Sequence, residues 1–254
     1  GILGVFCLSA LMASMDFFQP TAPLAAYPEK AVAFICGFPA GGAMDMTSRA
    51  ITEAAKKYFP KPMVVVNRPG AAGTIGAAEM IQAKPDGYTI GLSTFAVLTV
   101  QVHRTKLPFG PPDDYTPIIK LVNLPVCLTV KDTAPWKTIQ EFMAYARGNP
   151  AKVRVGHPGI GTIPHLDVEQ LRLMAKIDLV TVPFAGAAES IPALLGGHVD
   201  AISQHHGEVL AQVQAGKAKV LAVFEERRNP LFSNAPTFRE IGYDINMGTY
   251  YLVI

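Results

Sequence analysis

Four short stretches share one pattern: Phe38-Pro39-Ala40-Gly41-Gly42, Gly70-Ala71-Ala72-Gly73-Thr74, His157-Pro158-Gly159-Ile160-Gly161-Thr162 and Phe184-Ala185-Gly186-Ala187. Each follows a short apolar run and precedes a helical one. A Gly-rich turn at that junction leaves backbone N–H groups unpaired at the positive end of a helix, which is an anion site. Two such turns facing a third across a cleft suit a small molecule with an acidic group at each end. Asp45, three residues past Gly42, stands where a carboxylate could meet an amino or hydroxyl group of a ligand, or brace the first helical turn.

Catalytic and cofactor chemistry is poorly represented. No GxxxxGK[ST], GxGxxG, GxSxG, HExxH or CxxC occurs. His205-His206 with Glu208 comes nearest to a metal set, but adjacent histidines on a strand point to opposite faces. His165 and Asp167 read as an ordinary helix-start pair. The expectation is therefore no catalytic residue, no metal and no cofactor. The distal end of a ligand is assigned to Thr162, His165 and Ser203.

Of the 254 residues, 50% are hydrophobic and 17% charged, which excludes disorder and supplies a large core. The net charge is +2 with no long basic run, which argues against a nucleic-acid partner. Residues 1–26 form an apolar stretch ending in Ala22-Pro23-Leu24-Ala25-Ala26, the pattern of an export signal lacking its basic start. Cys36 and Cys127 lie in apolar strand-like runs and read as free, buried thiols.

The turns are positioned by alternating strands and helices. Strands are expected at Ala31–Cys36, Met63–Val66, Tyr88–Leu92, Pro117–Val122 and Val126–Val130. A helix over Trp136–Arg147 would be capped by Thr133. Further strands fall at Val153–Gly156, Leu179–Val182, Val199–Ile202 and Ala218–Phe224, with helices between them. Strands alternating with helices imply parallel sheets covered on both faces, with ligands at the carboxyl ends of the strands. Pro125 and the non-helical Glu225–Pro236 read as two crossings between two lobes. Tyr250–Ile254 reads as an apolar strand with nothing after it to cover it, an aggregation risk.

On these residues the chain resembles the Bug-type solute-binding receptors of tripartite tricarboxylate transporters. The matching stretches are Phe38–Gly42 with Asp45 and Arg49, Asn67–Gly76, Lys84-Pro85-Asp86-Gly87-Tyr88, Gly159–Leu166, Val182-Pro183-Phe184, Leu194–Asp200 and Ala235–Phe238 with Gly242-Tyr243. The resemblance runs from Tyr27 to the end. It implies a two-lobed α/β periplasmic-binding-protein fold, each lobe a mostly parallel sheet flanked by helices and joined by two crossover strands. Lobe one would span 27–123 and be completed by 232–254; lobe two would span 124–231. The implied function is a periplasmic, non-catalytic, monomeric receptor that delivers a small carboxylate to integral-membrane transporter subunits. Main-chain amides of the first two loops would hold the carboxylate, with Ser93, Thr94, Gly159, Thr162, His165, Phe184 and Ser203 around it. The sequence departs from the family at Phe184-Ala185, where a Tyr-Lys pair is usual, at Leu98–Lys106, and at Ala201–His206. Two alternatives stand beside this reading: a sensor for a signalling partner on the same fold, and a small α/β hydrolase.

Overall fold

The computed structural model describes residues 27–110 and 113–254; the export-signal reading of residues 1–26 lies outside them. Lobe one opens with β1 (Val32–Cys36), α1 (Ala43–Ala55), β2 (Met63–Asn67), α2 (Thr74–Ile81) and β3 (Thr89–Thr94). Two short helices, α3 (Phe95–Thr99) and α4 (Gln101–Arg104), precede β4 (Ile119–Leu124). Pro125 alone separates β4 from β5 (Val126–Lys131), the first strand of lobe two. There follow α5 (Ile139–Gly148), β6 (Arg154–His157), α6 (Ile163–Ala175), β7 (Val180–Pro183), α7 (Ala187–Leu195), β8 (Ala201–His205), α8 (His206–Gln214) and β9 (Ala218–Val223). The chain then returns to lobe one as β10 (Thr249–Val253).

The strand orders are β2-β1-β3-β10-β4 and β7-β6-β8-β5-β9, one topology used twice. In each sheet the first three strands pair in parallel. The strand arriving from the other lobe, β10 or β5, pairs antiparallel on both its edges. Each sheet is thus half antiparallel, because a strand that crosses between lobes enters against the direction of its neighbours. β1 and β5 read as apolar runs because both sit inside a sheet covered on two faces.

Three expectations need correction. The Tyr250–Ile254 run is not uncovered: β10 lies between β3 and β4, with Tyr251 and Val253 buried. Thr133 does not cap α5. Thr138 does, accepting from the Glu141 N–H at 3.2 Å while the Glu141 carboxylate accepts from the Lys137 N–H at 2.6 Å. Trp136 therefore precedes the helix and packs edge-on against Phe142. The Glu225–Pro236 passage is no crossing: Phe232 and Ala235 are buried in lobe two, as are Phe238 and Ile245 beyond it. Phe238 stacks on Phe224 at 4.2 Å, so lobe two keeps the chain past residue 231, and the return comes just before β10. The family departure at Leu98–Lys106 is largely helical, with Thr94 capping α3 through the Val97 N–H at 3.2 Å.

Candidate functional site

The loop after β1 is shaped by Gly41, whose φ of +84° is a left-handed value, and by Gly42, which precedes α1. Asp45 holds this loop from behind. Its carboxylate accepts from the Gly41 N–H at 3.0 Å, Arg49 Nε at 2.9 Å and Asn67 Nδ2 at 3.0 Å. Burial pushes the Asp45 carboxyl up, but the hydrogen bonds from Arg49, Gly41 and Asn67 outweigh it and hold the carboxyl below its ordinary value. Asn67 Nδ2 also donates to the Phe38 carbonyl at 3.0 Å, tying the end of β2 to the first loop. The second loop packs against the first: a Cβ on Gly76 would lie 2.7 Å from the Gly37 Cα.

In lobe two the loop after β6 is held by side chains. Thr162 Oγ1 donates to the Gly159 carbonyl at 2.7 Å, and the Gly161 N–H donates to His165 Nδ1 at 3.2 Å. His157 and His165 lie ring to ring at 4.4 Å. Burial, then the neighbouring His165, depresses His157 to about 4; burial lowers His165 as well. At the start of α8, Glu208 Oε2 accepts from the His205 N–H at 3.3 Å.

The two lobes are in contact. Glu208 Oε1 accepts from the Ala43 N–H at 2.9 Å, so a lobe-two carboxylate sits on the first amide of α1. Gln101 Nε2 donates to the Ile160 carbonyl at 2.7 Å, with Arg104 Nη1 3.4 Å from the same oxygen.

Between the lobes lie two cavities. The first gathers the starts of α1, α3, α6, α7 and α8, with Thr249 and Tyr251 of β10 as its floor. Its walls are largely apolar. Glu208 is the one Asp, Glu, Lys or Arg among its lining residues. The second is lined by Gly70–Thr74 from lobe one, by Gly159, Ile160 and Pro183–Ala185 from lobe two, and by Gln101 and Arg104.

The sequence-predicted residues divide accordingly. Phe38, Pro39, Gly42, Thr94 and Thr162 line the first cavity; Gly70, Ala72, Gly73, Thr74, Gly159 and Phe184 line the second. Ala40, Gly41, Asp45, Ser93, His165 and Ser203 line neither. Gly41 and Asp45 shape the first loop, and His165 supports the loop after β6. Ser93 and Ser203 are buried inside strands, with no partner for their hydroxyls among the described residues. Gly186 and Ala187 belong to the fourth cleft turn read from the sequence, and His205 and Glu208 to a polar turn at the cleft mouth, but none of them was assigned to a ligand; Ala188, Thr249 and Tyr251 in the first cavity and Gln101 and Arg104 in the second were not foreseen at all. Glu208 had a legible signal: a Glu three residues past the residue that opens a helix reaches back to that helix's first amide.

Among the described residues, no group of three or more His, Cys, Asp or Glu is placed to hold a metal ion, and no helix is long and apolar enough to cross a membrane. Cys36 and Cys127 are buried in different lobes and unpaired among the described residues.

Comparison with known proteins follows the same lines. A model of the tripartite tricarboxylate transporter family receptor matches residues 47–253. The UPF0065 protein in the gbd 5' region of Cupriavidus necator is 34% identical over 86% of this chain and 66% of its own length. The chain thus spans about two thirds of that relative. The periplasmic binding protein BugD superposes with a TM-score of 0.84 at 31% identity, over 89% of this chain and 76% of that one. MatC of Rhodopseudomonas palustris, solved with bound malate, gives 0.82 at 29% identity, over 89% and 78%. The family model describes a receptor and BugD is a periplasmic binding protein; neither is an enzyme.

Proposed function

The chain belongs to the tripartite tricarboxylate transporter receptor family, and from that premise we propose that it captures a small carboxylate between its lobes and delivers it to a membrane transporter. One observation supports the reading above the rest: a carboxylate, that of Glu208, already accepts from the first amide of α1 inside the cleft. Helix starts with unpaired N–H groups favour negative charge. The malate bound by MatC belongs to the same chemical class. Thr94 sits beside these amides, and because its Oγ1 accepts from the Val97 N–H its hydroxyl proton is available to a bound acid. The periplasm is the compartment this role requires. The lobes act as the two closing bodies, pivoting at Pro125 and at the return into β10.

The test is a thermal-shift screen of small carboxylates, each beside its methyl ester. A ligand at about 100 times its Kd adds about 2.7 kcal/mol, a rise of about 5–10 °C for a protein of this size. Acids that stabilise while their esters do not are the expected result. Esters that bind as well as acids would overturn it.

A further inference from the structure

The first cavity holds an anion of its own. Glu208 reaches from lobe two to lobe one, with Oε1 on the Ala43 N–H at 2.9 Å and Oε2 on the His205 N–H at 3.3 Å. Among the described residues, no Lys or Arg lines the same cavity to offset it. The other titratable groups there, His205 and Tyr251, are buried; burial lowers His205 and raises Tyr251, which keeps both neutral. Arg104 belongs to the second cavity and is tied to Gln101 Oε1 at 2.7 Å.

We propose that Glu208 is a specificity-determining residue that restricts the cleft to ligands with a single carboxylate, which place a hydrogen-bond donor rather than a second carboxylate against it. The proposal rests on the carboxylate reading above and narrows it. Charge balance is the reason. Each helix start presents about half a positive charge. Glu208 occupies the starts of α1 and α8. α3 has five residues and adds little. The start of α7 already carries its own carboxylate, since the Ala185 N–H donates to Glu189 Oε2 at 3.1 Å. That leaves α6, which together with the partly balanced α7 compensates no more than about one carboxylate. The conclusion is the same whichever amide the ligand takes. If its acid group displaces Glu208 from Ala43, the freed Glu208 faces the body of the ligand. If Glu208 stays, the ligand's acid goes to the start of α6, and its other end meets Glu208. In both cases a hydroxyl, amide or ammonium group is accepted there and a second carboxylate is repelled.

Isothermal titration at pH 7.5 with malonate, succinate, glutarate and adipate, each against its half-amide, tests this. In the unaltered protein, at whichever length fits, the half-amide should bind at least tenfold tighter than the diacid. Glu208→Gln keeps an oxygen for the Ala43 N–H and removes the charge, so it should shrink that ratio at least fivefold, mainly by improving the diacid. Glu208→Ala should shrink it similarly and serves if the Gln form folds poorly. A diacid that binds the unaltered protein as tightly as its half-amide overturns the proposal and leaves the carboxylate reading standing. So does a ratio unmoved by either variant. A protein that binds neither member of any pair overturns both.

Discussion

Strands β1 and β6 hold equivalent places in the two sheets, yet they lead into loops built differently. After β1 the wall of the cleft is backbone, with Gly42 lining it and Asp45 bracing the loop through the Gly41 N–H, out of the ligand's reach. After β6 the loop leans on His157, Thr162 and His165, and at the corresponding end of β8 stand His205 and Glu208. One topology thus yields a wall that does not titrate and a wall that does. The difference follows from how each helix start is satisfied. Lobe one supports its loops with glycines and with a carboxylate held deprotonated by its donors. Lobe two uses imidazoles whose burial keeps them neutral.

The largest effect expected from that difference is acid sensitivity confined to lobe two. Burial depresses both His157 and His206 to about 4. The unfolded chain takes up these protons near pH 6.5 and the folded chain does not, so stability falls as pH drops from about 6.5 towards 4. Each His accounts for up to roughly 3 kcal/mol. Urea unfolding between pH 7.5 and 4.5 should show the loss, and hydrogen exchange should place early opening in β6 and β8 rather than in β1 and β3. Uniform opening of both lobes would erase the contrast.

A methyl group should damage the other wall. Gly76→Ala brings a Cβ to 2.7 Å from the Gly37 Cα and 3.2 Å from the Arg68 carbonyl oxygen, all of it backbone. The two glycine loops would have to part, at a cost of about 1–3 kcal/mol. Carboxylate binding should fall with stability, while the acid response of lobe two stays as it was.

The backbone wall was the more legible of the two from sequence. Glycine runs between an apolar strand and a helix announce exposed amides, and Phe38, Gly42 and Thr94 do line the cleft. The side-chain wall was harder to read because its residues gain meaning only across the lobes. Glu208 lies 165 residues from Ala43, and no local pattern reports that meeting. Gln101 and Arg104 were hidden because β-branched and aromatic residues in Phe95–Arg104 mask two short helices. The strand Thr249–Val253 was visible, but its place inside the lobe-one sheet depends on pairing with β3 and β4. Pairing between distant strands is not written in either one alone.

Asp45 sharpens the comparison from lobe one's side. Asp45→Asn would turn an acceptor of three hydrogen bonds into a group carrying its own donors, facing the Gly41 N–H and Asn67 Nδ2. Losing those charge-assisted bonds should cost about 1–3 kcal/mol, while the exposed Arg49 side of the pair adds little. Because Asp45 shapes the loop and lines neither cavity, the variant should weaken all carboxylates alike. Selective loss of amino or hydroxy acids would instead put its carboxylate on the ligand.

The smallest effect runs in the opposite direction and concerns a lobe-two group outside the cleft. Asp167 on α6 is 1% exposed, and neither of its oxygens completes a hydrogen bond among the described residues. Burial raises its carboxyl well above the ordinary value, and the nearby Met247 amide opposes this only in part. The unfolded chain therefore releases this proton first. Above about pH 4 its ionisation favours unfolding, and the penalty grows until the folded carboxyl itself ionises. Asp167→Asn removes the titration while keeping the shape. It should raise stability by about 1–2 kcal/mol at pH 7.5, as expected when a buried group no longer has to suppress its charge. The gain should vanish below pH 4, where the original carboxyl is protonated in both states. Thermal unfolding of the two proteins across that range gives the answer. Equal midpoints at pH 7.5 would mean that Asp167 meets water or a donor in solution. In that case the acid response of lobe two belongs to its histidines alone.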